Sequence, residues 1–267
     1  MSRQEQDDRG PDEVSPKDRF VTVYGRRPVL EALTDTALEV DKVVLAEGAD
    51  PRAVRSIMDA ARTRGVRVTR ASAHRVKVLA GNGRQDQGVI ADVVAPGMRT
   101  LDRFLAALGP DAGARVLVLD GLTNPANVGM ILRSATAAGL DGVLLPRHGL
   151  PSIDPLVVKA SAGVAFHAPV LRSGTAAAGL AALAEAGFVL LGLDGGATAS
   201  LFTADLAPRT ALVVGGETDG LTSDVRGELH DTVAIPMAGG VESLNAACAA
   251  TLACFELARR GPSRTQD

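Results

Sequence analysis

Apolar and polar positions alternate with two different periods along this chain, and the periods divide it into segments. Residues 1–18 show neither period. They are polar and charged with one strong apolar residue, Val14, and are expected to form a disordered tail. From Phe20 a compact pattern begins. A short helix is expected from Pro28 to Leu33, and the run VDKVVLA at 40–46 predicts a strand. Residues 51–64 predict a helix: Pro51 sits near the first turn, and Val54, Ile57, Met58 and Ala61 recur at spacings of three and four. Gly65 ends it. A strand starting at 66–68, a helix at 73–79 and a strand at 88–94 complete a small α/β unit spanning 19–95. Residues 96–112 read as a linker, with a helix at 101–108 and a Gly- and Pro-containing stretch at 109–113.

The second unit, 113–267, opens with the apolar strand 115–120. Later strands are expected at 142–145, 188–193, 211–214 and 232–235. Helices are expected from Pro125, at 155–161, at 175–186 and at 243–260. Asn124 and Ser243 stand where N-caps belong, and Leu244, Cys248, Thr251 and Phe255 form an apolar stripe read as core. Short apolar strands alternating with helices predict a parallel sheet covered on both faces. The fold class is therefore α/β.

Composition narrows the function classes. With 46% hydrophobic and 22% charged residues, a mainly disordered chain is excluded. No apolar run has the length of a membrane span, and the polar start lacks the apolar region of a secretory signal. Cys248 and Cys254 are too few for a disulfide framework or a four-ligand zinc site. A reduced, cytoplasmic protein without membrane attachment is expected. The net charge of −3 hides a division. Residues 17–95 carry 14 Lys and Arg against 10 acids, and between Arg62 and Arg84 there are seven basic residues and no acid. Such a patch suits a polyanion. A solvated Arg-rich face accounts for it equally well at this point.

Three segments are candidates for chemistry. In Thr123–Ala135 the sole charge is Arg133, on an otherwise neutral helix, and Asn127 lies one turn inside, where Asn is a poor helix former. In 212–221 a buried strand ends at Gly215, Gly216 and Glu217; glycines at that edge of a parallel sheet let a ligand approach the backbone. Leu193-Asp194-Gly195-Gly196 repeats the transition. In 235–245 a strand runs through Pro236, Met237, Gly239 and Gly240 into a helix that Ser243 would cap, with Glu242 just before it and Asn245 near its N-terminus. Phosphate-loop and dinucleotide fingerprints, zinc spacings and nucleophile motifs are absent.

Taken in this order, the segments resemble the three motifs of the SpoU/TrmH family of RNA ribose 2′-O-methyltransferases, in the SPOUT superfamily. Asn124 to Ser134 is similar to Asn-Pro-x-Asn-x-Gly-x-x-x-Arg-[Ser/Thr]. Val213 to Gly220 is similar to an apolar strand followed by Gly-x-Glu-x-x-Gly. Ile235 to Asn245 is similar to Ile-Pro-Met-x-Gly-x-x-x-Ser-Leu-Asn. Tyr24-Gly25 before Pro28–Leu33, and Gln87-Gly88-Val89, resemble the N-terminal substrate-binding domain of the 23S rRNA subgroup. Two departures stand out: Thr218-Asp219 after Glu217, and an acid at Glu242.

The resemblance implies a C-terminal SPOUT α/β domain with a deep trefoil knot and a small N-terminal ribosomal-protein-like RNA-binding domain. It implies S-adenosylmethionine as cofactor, a homodimer, no metal, and RNA, foremost 23S rRNA, as substrate. By position, Leu193, Gly195, Gly215, Gly216, Ile235, Met237 and Leu244 would line the cofactor site. Asn127, Arg133, Glu217, Ser243 and Asn245 would be catalytic. Arg62, Arg64, Arg67, Arg70 and Arg84 would contact RNA. A ribose hydroxyl is a weak nucleophile that must be aligned with the sulfonium and lose its proton. Arg133 could hold a phosphate beside it, braced by Glu217, and the high guanidinium pKa favours this positioning role over that of a base. Two alternatives remain: a tRNA 2′-O-methyltransferase, and a catalytically silent RNA-binding or ribosome-assembly factor.

Overall fold

The computed structural model describes residues 19–81 and 86–260. The disordered-tail expectation for 1–18 and the candidate RNA contact Arg84 lie outside these residues.

The N-terminal unit holds β1 (Phe20–Tyr24), α1 (Arg26–Thr34), β2 (Val40–Ala46), α2 (Arg55–Thr63), β3 (Arg67–Ala71), α3 (Ala73–Leu79) and β4 (Val89–Val94). Its four strands lie in the order β1-β4-β2-β3. β4 is antiparallel to β1 and β2, while β2 and β3 run parallel. Strand alternation sends Val43 and Leu45 into the main core and Val44 and Ala46 against Val76 and Ala80 of the α3 region. β3 is an edge strand, so its arginines are exposed.

The residues read as a linker are instead built into the larger sheet. β5 (Arg99–Thr100) pairs in parallel with β8 (Val170–Arg172), and α4 (Leu101–Ala106) buries Leu101 and Phe104 in the second core. The remaining elements are β6 (Ala114–Leu119), α5 (Pro125–Ala137), β7 (Gly142–Leu144), α6 (Pro155–Ala160), α7 (Ala176–Glu185), β9 (Val189–Leu193), β10 (Arg209–Val214), α8 (Ser223–Glu228), β11 (Asp231–Val233) and α9 (Ala246–Arg260). Seven strands form one sheet in the order β11-β9-β10-β6-β7-β8-β5, and every pairing is parallel. Alternate residues of β6 fall into two cores. Leu117 and Leu119 join α5 and α9, while Val116 and Val118 join α4 and α7. The sheet is covered on both faces, as its uninterrupted apolar strands require.

Two expectations about α9 are corrected. Its N-cap is Asn245, not Ser243: the Asn245 Oδ1 accepts from the backbone N–H of Ala247 (3.0 Å) and Cys248 (3.2 Å). The buried face is Ala246, Ala247, Ala250, Ala253, Cys254 and Leu257, whereas Cys248 and Phe255 of the expected core stripe are exposed. Alanines let α9 lie close on α5, and the larger side chains point away. Among the described residues no helix is long and apolar enough to cross a membrane.

Candidate active site

The sheet order turns between β9, β10 and β6, and the loops leaving the carboxyl ends of these strands converge there. α5 begins in one of them. Asn124 caps it through Oδ1, which accepts from Ala126 N–H at 3.0 Å, and Pro125 occupies the first turn, where its missing N–H costs nothing. One turn on, Asn127 is 2% exposed. Its Nδ2 donates to Glu217 Oε1 at 2.7 Å, and its Oδ1 accepts from Asn245 Nδ2 at 3.1 Å. Asn245 Nδ2 also donates to the same Glu217 oxygen at 2.7 Å. The expected residues Asn127, Glu217 and Asn245 are thus brought together from all three motifs. Two amides fix one carboxylate, and the awkward Asn inside a helix is accounted for.

Arg133 does not join them. At about 100° per residue it lies roughly 240° around α5 from Asn127. It is exposed, beside exposed Met130 and Ala137, and makes no hydrogen bond or ion pair to a described residue. The expected brace between Glu217 and Arg133 is therefore corrected: the asparagines occupy Glu217. Ser134, the next residue, faces α9, where its hydroxyl lies 2.7 Å from that of Thr251.

Beside Glu217 lies a cavity of about 210 Å³ lined by Leu193, Asp194, Gly195, Gly215, Gly216, Ile235, Met237, Glu242, Ser243 and Leu244, among others. All seven expected cofactor residues line it, and so does Ser243. A second cavity, of about 470 Å³, shares Gly195, Ile235, Met237 and Glu242 and adds Thr198 and Ser200. The glycine reading needs a correction. A side chain on Gly215 would strike the backbone of Gly220, and one on Gly216 would come within 2.5 Å of the Gly121 carbonyl. These glycines let the chain approach itself, in a turn closed by paired Gly216–Gly220 backbone bonds. Gly195 does face space, with Glu242 O at 3.5 Å from a Cβ built there.

The cavity fits S-adenosylmethionine chemically. Leu193, Ile235 and Leu244 offer apolar walls that would suit an adenine ring, backbone groups at the strand ends offer hydrogen bonds, and Glu217 and Glu242 supply acidic groups that would suit a sulfonium cation.

Three polar contacts around the site carry no signal in the residue pattern. Asp120 is 6% exposed, and its Oδ2 accepts from Thr222 N–H at 2.7 Å. The other two, between Asp194 and Arg226 and between Arg226 and Leu221, depend on a basic residue in α8, a helix whose pattern is too short to read.

The candidate RNA contacts differ among themselves. Arg67 and Arg70 are exposed on opposite faces of β3. Arg62 is exposed and lies 3.6 Å from Asp59. Arg64 is removed from the set. Its Nη1 donates to the carbonyls of Leu33 (3.3 Å) and Asp35 (2.6 Å), and its Nη2 to that of Leu38 (2.6 Å), so it satisfies backbone groups just past α1.

The family described as SpoU rRNA Methylase matches residues 114–255, and that described as RNA 2′-O ribose methyltransferase substrate binding matches residues 22–98. The 23S rRNA (guanosine-2′-O-)-methyltransferase RlmB of Xanthomonas axonopodis pv. citri (strain 306) is 35% identical over 239 residues, 89% of this chain and 96% of that protein. An uncharacterized tRNA/rRNA methyltransferase of Mycolicibacterium gilvum (strain PYR-GCK) is 37% identical, over 89% of this chain and 76% of that one. The crystal structure of the SpoU methyltransferase AviRb from Streptomyces viridochromogenes, in complex with AdoMet, superimposes with a TM-score of 0.60 at 29% identity. It covers 91% of this chain and 92% of that chain.

Proposed function

The chain belongs to the SpoU rRNA methylase family, and from that premise we propose that it methylates the ribose 2′-hydroxyl of a guanosine in 23S ribosomal RNA. The observation that carries this reading is the convergence of Asn127, Glu217 and Asn245 beside the cavity that fits S-adenosylmethionine. The 23S target and the guanosine follow the relatives named for that activity, which the chain matches over nearly their whole length.

When bound, S-adenosylmethionine would supply an electrophilic methyl group carried on a sulfonium. The chain's own part is alignment. The anchored Glu217 carboxylate and the Ser243 hydroxyl stand at the rim of the cavity and present an acceptor and a hydroxyl to an incoming ribose. Arg133 is assigned to an RNA phosphate. An exposed guanidinium without a partner among the described residues can take a phosphate with two parallel hydrogen bonds.

The reading includes a cytoplasmic homodimer whose C-terminal segment is knotted. Met130 on α5, Leu156 on α6, and Leu252 and Phe255 on α9 are 41–59% exposed. The three helices pack against one another or share α5, so their large apolar side chains suit burial against a second copy. For the knot, the support is that residues of 235–244 line one cavity together with the loops after β9 and β10 before α9 packs on α5.

The test is transfer of labelled methyl from S-adenosylmethionine to total rRNA and tRNA from cells lacking the gene, followed by mapping of linkages resistant to alkaline cleavage. One guanosine in 23S rRNA is expected. Label confined to tRNA would replace the substrate, and label on a base would overturn the reaction. Light scattering of the purified protein should give the mass of two chains.

A further inference from the structure

Asp194 follows β9, lines the cavity, and joins two of its loops. Its Oδ1 accepts from Gly196 N–H at 2.9 Å, which shapes the loop after β9. Its Oδ2 accepts from Arg226 Nη1 at 2.6 Å. Arg226 lies on α8 and donates Nε to the Leu221 carbonyl at 3.2 Å. Leu221 directly follows the Gly216–Gly220 turn that carries Glu217. A continuous set of polar contacts therefore runs from one wall of the cavity to the loop holding the anchored carboxylate.

The Asp194 side chain is a carboxylate at neutral pH. The Gly196 N–H, and after it the Arg226 side chain, hold the Asp194 carboxyl below the usual carboxylate range. Yet the two side chains are 26% and 48% exposed, and ion pairs of that exposure contribute little to global stability. What the pair does control is local. It ties the loop after β9 to α8, which follows the turn after β10.

We propose that Asp194 and Arg226 are positioning residues that hold these two loops at the spacing S-adenosylmethionine requires before the cofactor arrives. The inference rests on the cavity being the cofactor site. Preorganised loops bind more tightly because less order has to be created on binding.

Asp194→Asn isolates the ion pair, since an asparagine oxygen still accepts from Gly196 N–H while the charge is lost. Arg226→Gln removes the partner. Calorimetry of the ligand-free full-length protein with S-adenosylmethionine, without RNA, is expected to give affinities weaker by roughly three- to tenfold in each variant. The double variant should bind no more weakly than the weaker single one, because both remove one interaction. In ligand-free protein, amide hydrogen exchange over 216–222 should quicken in Asp194→Asn while the unfolding midpoint stays unchanged. Wild-type affinity in both variants, or losses that add in the double variant, would overturn the inference alone. Failure of the wild-type protein to bind would overturn the cofactor assignment, and the inference with it.

Discussion

A single oxygen of Glu217 accepts from two asparagine side chains, and this decides how the site's residues divide their work. A carboxylate so occupied is fixed in place without a counter-ion. Arg133, on another face of α5, keeps its donors unused by any described residue. Replacing Arg133 by Ala should therefore cut methyl transfer by at least about a hundredfold, the scale of a lost transition-state contact, with cofactor affinity near wild type. Arg133→Lys should fail nearly as far, because an ammonium cannot offer two parallel N–H groups to a phosphate. A Lys variant retaining most of its turnover would reduce the residue's role to bare charge. The two cysteines give a second contrast. Burial pushes the Cys254 thiol up to about 12, so at pH 8 it stays protonated, while Cys248 is exposed. Alkylation of the folded protein at pH 8 should leave Cys254 unmodified, read by mass spectrometry, and both cysteines should react in denaturant. Prompt labelling of Cys254 in the folded protein would contradict its placement between α9 and the core.

At the scale of elements, close backbone approach does more than side-chain volume. α5 and α6 cross at Gly129, where a Cβ would stand 2.5 Å from the Val157 carbonyl and 2.7 Å from the Ala160 Cβ. Both neighbours are held in a helix and cannot yield. Gly129→Ala should destabilise the protein by about 1–3 kcal/mol despite the better helix propensity of alanine, measured as a lower urea midpoint. An unchanged or higher midpoint would mean the helices slide apart freely. The same physics marks the limit of what could be read beforehand. The strand at 40–46 and the helix at 73–79 were legible to the residue, because their patterns are regular and bounded by breakers. β5 and β8 were not, since two or three residues carry no period. α8 has a Gly and one buried apolar residue, Val225, so nothing in SDVRGE announces a helix. In α9 two faces competed, and the larger side chains pointed to the wrong one. The motif asparagines and Glu217 were recognisable from the resemblance, but their mutual bonding was not. Nor was the separation of Arg133 from them, which follows from helix phase and from where α5 lies on the sheet.

For the whole molecule, the division of charge observed along the chain becomes a division in space, with one reassignment. The basic stretch does not act as a unit. Arg64 points inward and satisfies the carbonyls of Leu33, Asp35 and Leu38, whereas Arg67 and Arg70 project from the free edge of the small sheet. If RNA is held by the N-terminal unit through its phosphates, each lost contact should release fewer counterions. The slope of log affinity against log salt should then fall by roughly 0.7–0.9 per contact. Arg67→Ala with Arg70→Ala should therefore weaken RNA binding and flatten its salt dependence, with calorimetric affinity for S-adenosylmethionine unaltered, because the cofactor cavity lies wholly within the C-terminal unit. Arg64→Gln should behave in the opposite way. It leaves the part-buried carbonyls of Leu33 and Leu38 without this donor, so the unfolding midpoint should drop while the salt slope stays at the wild-type value. Measuring both variants on the same RNA over a series of salt concentrations separates a charge that binds from a charge that builds. A wild-type slope in the Arg67 and Arg70 variant would return the whole stretch to a solvated face and move RNA recognition elsewhere on the molecule.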